Sequence, residues 1–177
     1  DQEGASPIRT KQRITPLVED RKNALLVRFP AAWLAEAGAD AEDVVATIQH
    51  ALARGVEAVY QLEEGEILVE PTPARDERWA LLFYEAAEGG AGALSRLMRE
   101  PGAFAEVARR VLEVMHYDPR TFADAAEQGP EALAELAGAR CVAGCYRCLL
   151  SYFNQPDHER INRKNEIVLR FLLRMAG

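Results

Sequence analysis

Long apolar runs are missing from this sequence. Nothing in its 177 residues approaches the ~18 uninterrupted apolar positions that a membrane span needs. The polar opening DQEGASPIRTKQRITP also lacks the apolar stretch of a secretory leader, so a cytoplasmic protein with no membrane association is the expectation. Cysteine stops at three, an odd number that cannot close into a disulfide framework within one chain. Lysine is scarce, present only as Lys11, Lys22 and Lys164, which leaves few candidates for a catalytic or phosphate-binding ammonium group. A hydrophobic content of 49% is ordinary for a globular domain that needs no covalent staples. Because the sequence opens at Asp1 on a sparse polar segment, a piece of a longer polypeptide is expected, with part of the function outside it.

What is present is distributed unevenly. Residues 1–138 hold 14 Lys+Arg against 25 Asp+Glu, a balance of −11, whereas residues 139–177 hold 7 against 3, a balance of +4, within a net charge of −7. An acidic chain is a poor general binder of phosphate backbones, so any nucleic-acid contact is expected at the basic end.

Residues 1–22 read as a linker or strap from a larger chain, 23–138 as an α/β core, and 139–177 as a cysteine cluster followed by a basic helix. Asn23–Phe29 has strand character and ends at Pro30. In DAEDVVATIQHALARG, Val44, Val45, Ile48 and Leu52 recur at helical spacing behind an acidic first turn, with Gly55 placed past the helix end. Val56–Leu62 and Glu66–Glu70 alternate as a hairpin around Glu63-Glu64-Gly65, and Trp79–Tyr84 is apolar enough for a central strand. The expected fold is therefore α/β: a small four-stranded mixed sheet, flanking helices, and a helical metal-binding C-terminal subdomain. Helices are expected over Ala91–Arg99, from Pro101 through Met115 with Val107, Val111, Leu112 and Met115 buried, from Pro130 through Leu136, and over Asn162–Met175.

All three thiols lie in CVAGCYRCLLSYFNQPDH. Cys141-x₃-Cys145-x₂-Cys148 sets two sulfurs on a tight loop with a third close by, the spacing that reaches one tetrahedral ion, and Gly144 is read as letting the backbone turn toward it. Zinc is favoured over an iron–sulfur cluster, which usually asks for four thiolates. His158, ten residues past Cys148 with Asp157 behind it, is the most economical fourth ligand, while His50 and His116 are read as partly exposed surface histidines. The plain alternative is three cysteines filling space at a loop junction as small apolar groups.

Other candidates attract weaker readings. Glu85, Gly89, Gly90 and Gly92 form a turn from strand to helix whose amides could receive a phosphate, but the Lys-Ser/Thr of a nucleotide-binding loop is absent and a packing turn is preferred. Glu70, Glu85 and Glu88 could hold a divalent ion for phosphodiester cleavage, although no lysine stands beside them and solvated carboxylates are preferred. Tyr146, Tyr152 and Phe153 beside Arg147 could stack on bases, but an apolar jacket around the metal is preferred. Arg163, Arg170 and Arg174 share a helix side suited to phosphates, a solvated face being the competing reading.

GCYRCLLSYFNQPDH, the Arg163 of ERINR, and the upstream YEAAEGGAGAL together resemble the zinc-binding C-terminal domain of MrfA-type DNA helicases, the MZB domain. The resemblance runs over most of the chain from about Asn23. Ala139 departs from the family's C-x-C-x-x-G-C-x-x-C pattern, where many members carry a first cysteine, and this leaves either His158 as the fourth ligand or a weakened or absent metal. The resemblance implies an accessory, zinc-stapled domain of an ATP-dependent helicase or helicase complex, of the kind found in bacterial DNA repair and in phage defence such as DISARM. Its implied partners are DNA and helicase motor domains, and ATP turnover belongs to those motors. A divalent-metal nuclease using Glu85 and Glu88, or a protein-binding regulatory module, are the alternatives.

Overall fold

A computed structural model describes residues 17–177; the expected linker falls largely on 1–16, outside the described residues. The elements are β1 (Ala24–Arg28), α1 (Ala31–Ala37), α2 (Ala41–Tyr60), β2 (Ile67–Ala74), β3 (Glu77–Glu85), α3 (Ala93–Arg99), α4 (Ala103–Val114), α5 (Phe122–Gln128) and α6 (Glu166–Ala176). The fold is α/β, with three strands in the order β1-β3-β2 and both pairings antiparallel. WALLFY forms the centre of the sheet, as its apolar run suggests.

The expected four-stranded mixed sheet is corrected here, and one glycine explains why. Gly55 does not end α2; it sits within a 20-residue helix whose acidic start, Glu42 and Asp43, suits the helix dipole. A Cβ on Gly55 would lie 2.4 Å from Val111 Cγ2 and 3.0 Å from Val107 Cγ1, so glycine is what lets α2 and α4 cross closely. Val56 and Glu57 thus continue the buried helical stripe instead of opening a strand. The true hairpin joins β2 to β3 further on. β2 runs through Pro71 and Pro73, which an edge strand tolerates because its outward amides need no partner.

Helices cover one face of the sheet. α2 lies between the sheet and α4, and α4 packs in turn on α6. Val44, Ile48, Leu81, Phe83, Val107, Val111, Leu112, Leu149, Ile161, Val168 and Leu172 belong to one continuous apolar core. Asn165 starts α6 by accepting the amides of Ile167 and Val168 on its Oδ1, later than the Asn162 expected from the sequence. The segment from Pro130 makes only a short 3₁₀ turn before Glu135 bridges to Tyr117.

Candidate metal centre

α4 delivers the first donor. The helix ends at Val114, and His116 takes a left-handed φ of 71°, rare for a residue with a side chain and costly unless the surroundings enforce it. Three backbone bonds do so: His116 N–H donates to Glu113 O, Tyr117 N–H to Leu112 O, and Leu136 N–H to His116 O. The turned backbone brings His116 Nε2 to 3.3 Å from Cys145 Sγ.

The other donors come from the loop expected. Cys148 N–H donates to Cys145 O at 2.9 Å, and Cys145 N–H points at Cys148 Sγ at 3.1 Å, so the x₂ loop closes on itself. Cys145 and Cys148 sulfurs lie 3.5 Å apart, and those of Cys141 and Cys148 3.7 Å. The four donor atoms of His116, Cys141, Cys145 and Cys148 all fall within 4.8 Å of one another. A tetrahedral zinc with Zn–S bonds of about 2.3 Å sets sulfur–sulfur edges near 3.8 Å, so the donor set fits that ion. Four protein donors leave no open position, which is the arrangement of a structural site. Gly144 contributes differently than expected: its φ is not left-handed, and a Cβ there would press on Leu150 at 3.1 Å and Ile161 at 3.4 Å, so it seats the loop on the core.

The thiols are electrostatically unequal. Burial raises Cys145, but hydrogen bonds from the His116 ring, the Arg147 amide and the neighbouring sulfurs outweigh it and hold the thiol at about 6. Burial dominates at Cys148 and pushes it up to about 12.

His158 is not in this set. Its Nε2 faces two acceptors, Ser151 O at 3.0 Å and Asn154 Oδ1 at 2.9 Å, so that nitrogen carries the proton and has no lone pair to offer a cation. The reading of His116 as a surface histidine is corrected with it. The available signal was its place directly after Met115, the last position of the α4 stripe, where a helix exit can aim a side chain. His50 is also half-buried, its Nε2 2.9 Å from Asp157 Oδ2, and Asp157 turns its other oxygen to the fully buried Arg78 at 2.7 Å. Burial would raise Asp157, but the bond to His50 and the charge of Arg78 prevail and hold it at about 2.

Arg163 does not face a phosphate. It is fully buried, with Nε donating to Cys141 O at 3.1 Å, Nη1 to Met115 O at 2.9 Å and Nη2 to Glu135 Oε1 at 2.8 Å, while its guanidinium lies 5.4 Å from the Tyr117 ring centre. It ties the residue before His116 to the backbone of Cys141. Arg170, paired to Glu166, and Arg174 lie on the exposed side of α6, and Arg147 is exposed on the cysteine loop. Tyr146, Tyr152 and Phe153 are exposed as well, so they form no jacket around the donors.

The glycine turn is occupied by the protein itself. Glu85 is buried and accepts the amides of Gly92 at 2.9 Å and Leu94 at 3.0 Å, supplying from within the anion that the turn could have taken from outside. Gly90 has φ of 49°, and a Cβ there would lie 1.6 Å from Glu85 Oε2. Glu85 is thus committed to the turn, while Glu88 and Glu70 stay exposed, and the nuclease reading gains nothing from this arrangement.

In this α/β domain distant segments converge on three sulfurs and one imidazole, a donor set that could hold one metal ion. The family model described as the MrfA Zn-binding domain matches residues 48–149, more than half the chain, and the chain belongs to that family. The matched stretch contains His116, Cys141, Cys145 and Cys148 and ends before His158. Comparison with curated proteins and with solved structures gives no match. Among the described residues, no helix is long and apolar enough to cross a membrane.

Proposed function

We propose that this chain is an accessory domain of an ATP-dependent DNA helicase or helicase complex, braced by a structural zinc held by His116, Cys141, Cys145 and Cys148. The observation that carries the reading is the closed donor set inside the family match. Bound there, the metal supplies crosslinks in place of a disulfide, and no chemistry on a substrate. The residues do the positioning: His116 anchors the end of α4, and the cysteine loop brings with it the segment leading to α6. In this reading the domain holds motor domains or a partner subunit in register, its exposed Arg147, Arg170 and Arg174 meet DNA, and ATP turnover belongs to the motors. Bacterial DNA repair or phage defence is the setting that the resemblance to MrfA-type helicases implies.

Metal analysis of the wild type beside His116→Ala and His158→Ala tests the site. About one zinc per chain is expected in the wild type and in His158→Ala, with loss or strong loosening in His116→Ala. Full retention in His116→Ala together with loss in His158→Ala would overturn the assignment.

A further inference from the structure

The NQPDH segment is not spent on the metal, and its hydrogen bonds show what it does instead. Asn154 Oδ1 accepts from Ser151 N–H at 2.8 Å and its Nδ2 donates to Leu149 O at 2.7 Å; Ser151 Oγ accepts from Phe153 N–H at 3.0 Å; His158 donates to Ser151 O and Asn154 Oδ1. Four side-chain-to-backbone links over so few residues make a stiff loop. What the stiff loop displays is aromatic surface: Tyr152 is 77% exposed and Phe153 68%, their rings edge to face at 6.1 Å, with Tyr146 65% exposed and edge-on to His158 at 5.7 Å. Rings held in place and left bare are a prepaid binding surface.

Charge identifies the occupant. From Leu136 to Pro156 there is no Asp or Glu, in a chain with 28 acids, while Arg140 and Arg147 both lie in that window and both are exposed. Neighbouring cations are taken: Arg160 pairs with Asp43 and Lys164 with Glu135. Among the described residues neither Arg140 nor Arg147 is held in an ion pair. Flat exposed rings interleaved with free arginines in an acid-free window match a polyanion that carries flat rings of its own. A paired duplex hides its base faces, whereas an unpaired strand offers them. We propose that Tyr146, Tyr152 and Arg147 form a stacking platform for single-stranded nucleic acid, with Phe153 at its border. Phe153 backs onto Gly65, where a Cβ on the glycine would lie 3.5 Å from the ring, in the acidic turn Glu63–Glu66, so this side of the platform borders carboxylates that repel a polyanion.

The proposal deepens the proposed function, resting on it for the presence of nucleic acid. The test is fluorescence anisotropy with a labelled 20-nucleotide oligothymidylate and a duplex of equal length, with zinc content measured on the same preparations. Expected are binding of the single strand at least tenfold tighter than the duplex, and a loss of about tenfold in each of Tyr146→Ala and Tyr152→Ala. Tyr152→Phe should bind as the wild type does. Arg147→Ala should flatten the slope of log affinity against log salt by about 0.7. A zinc-loaded wild type that ignores the single strand overturns the platform and leaves the rings to a protein surface. Unchanged affinity in both tyrosine variants overturns it as well, reducing the contact to phosphate alone. Tyrosine-dependent binding by a chain without zinc would uphold the platform and refute the structural metal.

Discussion

Replacing Arg163 with alanine separates a buried brace from a surface phosphate contact, and the structure sets the size of the effect. The guanidinium donates to two carbonyls, the buried Met115 O and the half-buried Cys141 O, and to Glu135. A hydrogen bond from a charged group contributes roughly 1.5–3 kcal/mol, so the two orphaned carbonyls cost about 3–6 kcal/mol. Glu135 adds little, because it is partly exposed and keeps Lys164 at 2.8 Å. Against a total stability of about 5–15 kcal/mol this is a large share. Urea unfolding of the zinc-loaded chain should show the midpoint falling by about 1.5–3 M for a slope near 2 kcal/mol per M. Because Met115 precedes one zinc donor and Cys141 is another, zinc affinity by chelator competition should fall about 10- to 100-fold, as for other outer-shell partners. Arg163→Lys should recover only part of this, since one ammonium cannot span three acceptors. Arg170→Ala, on the exposed side of α6 with a neighbouring Glu166, should cost only about 0.3–0.5 kcal/mol. If Arg163→Ala stays within about 1 kcal/mol of the wild type, holds zinc normally and loses only DNA affinity, the brace is refuted and the arginine belongs to the surface.

Zinc affinity should rise with pH by about tenfold per unit for each proton released. The sign follows from Cys148, which burial keeps protonated up to about 12, so zinc must displace its proton throughout the neutral range. Below about pH 6 the dependence should steepen as Cys145 also protonates. Chelator titrations between pH 5 and 8 would show this, and a flat profile would contradict it. Asp157 lies below its unfolded value, so its contribution, about 2 kcal/mol, is present above pH ~4 and lost as pH falls toward about 2. Acid unfolding of Asp157→Asn should lack that part of the wild-type pH dependence. Gly55→Ala, in a helix interior where alanine ordinarily stabilises, should instead cost about 1–3 kcal/mol in urea melts because of Val111. Gly90→Ala should cost more than Gly89→Ala. Both have left-handed φ, but only the Gly90 Cβ would strike Glu85, while Gly89 has open space.

Local patterns in the sequence reported local structure well. The buried stripe of α4 and the central position of WALLFY follow from apolar spacing alone. What spacing could not report was distance across the fold. Gly55 looks like a helix stop until α4 is seen crossing it, and without that stop the start of the supposed strand, from Val56 to Tyr60, continues the helix. The fourth metal donor failed in the same way. His158 is near the cysteines in sequence, but its nitrogen is spent on Ser151 and Asn154. His116 is 25 residues upstream of Cys141, and only the left-handed turn after α4 brings it in. Arg163, Arg170 and Arg174 show the limit of periodicity, because Arg163 lies before the helix begins at Glu166 and does not share the face its spacing suggests.

Two buried arginines complete what a metal alone could not. Zinc at the four donors would join the end of α4 to the cysteine loop, leaving the stretch from Leu149 to Asn165 to be held by other means. Arg163 secures its far end through Cys141, Met115 and Glu135. Arg78, reaching from β3 to Asp157 and Gln49, secures its middle against the sheet and α2. Each of these guanidiniums spans acceptors on segments remote in sequence, which an apolar side chain of similar volume could pack beside but not bind. The aromatic loop is therefore fixed at three places, by the thiols, by Arg78 through Asp157, and by Arg163. Removing the metal should loosen the loop's start first, while Asp157 stays pinned to Arg78. Hydrogen exchange on zinc-free protein should accordingly show protection lost around Cys141–Cys148 well before it is lost at Asp157–Ile161, and simultaneous loss across both would mean that the arginines depend on the metal for their own placement.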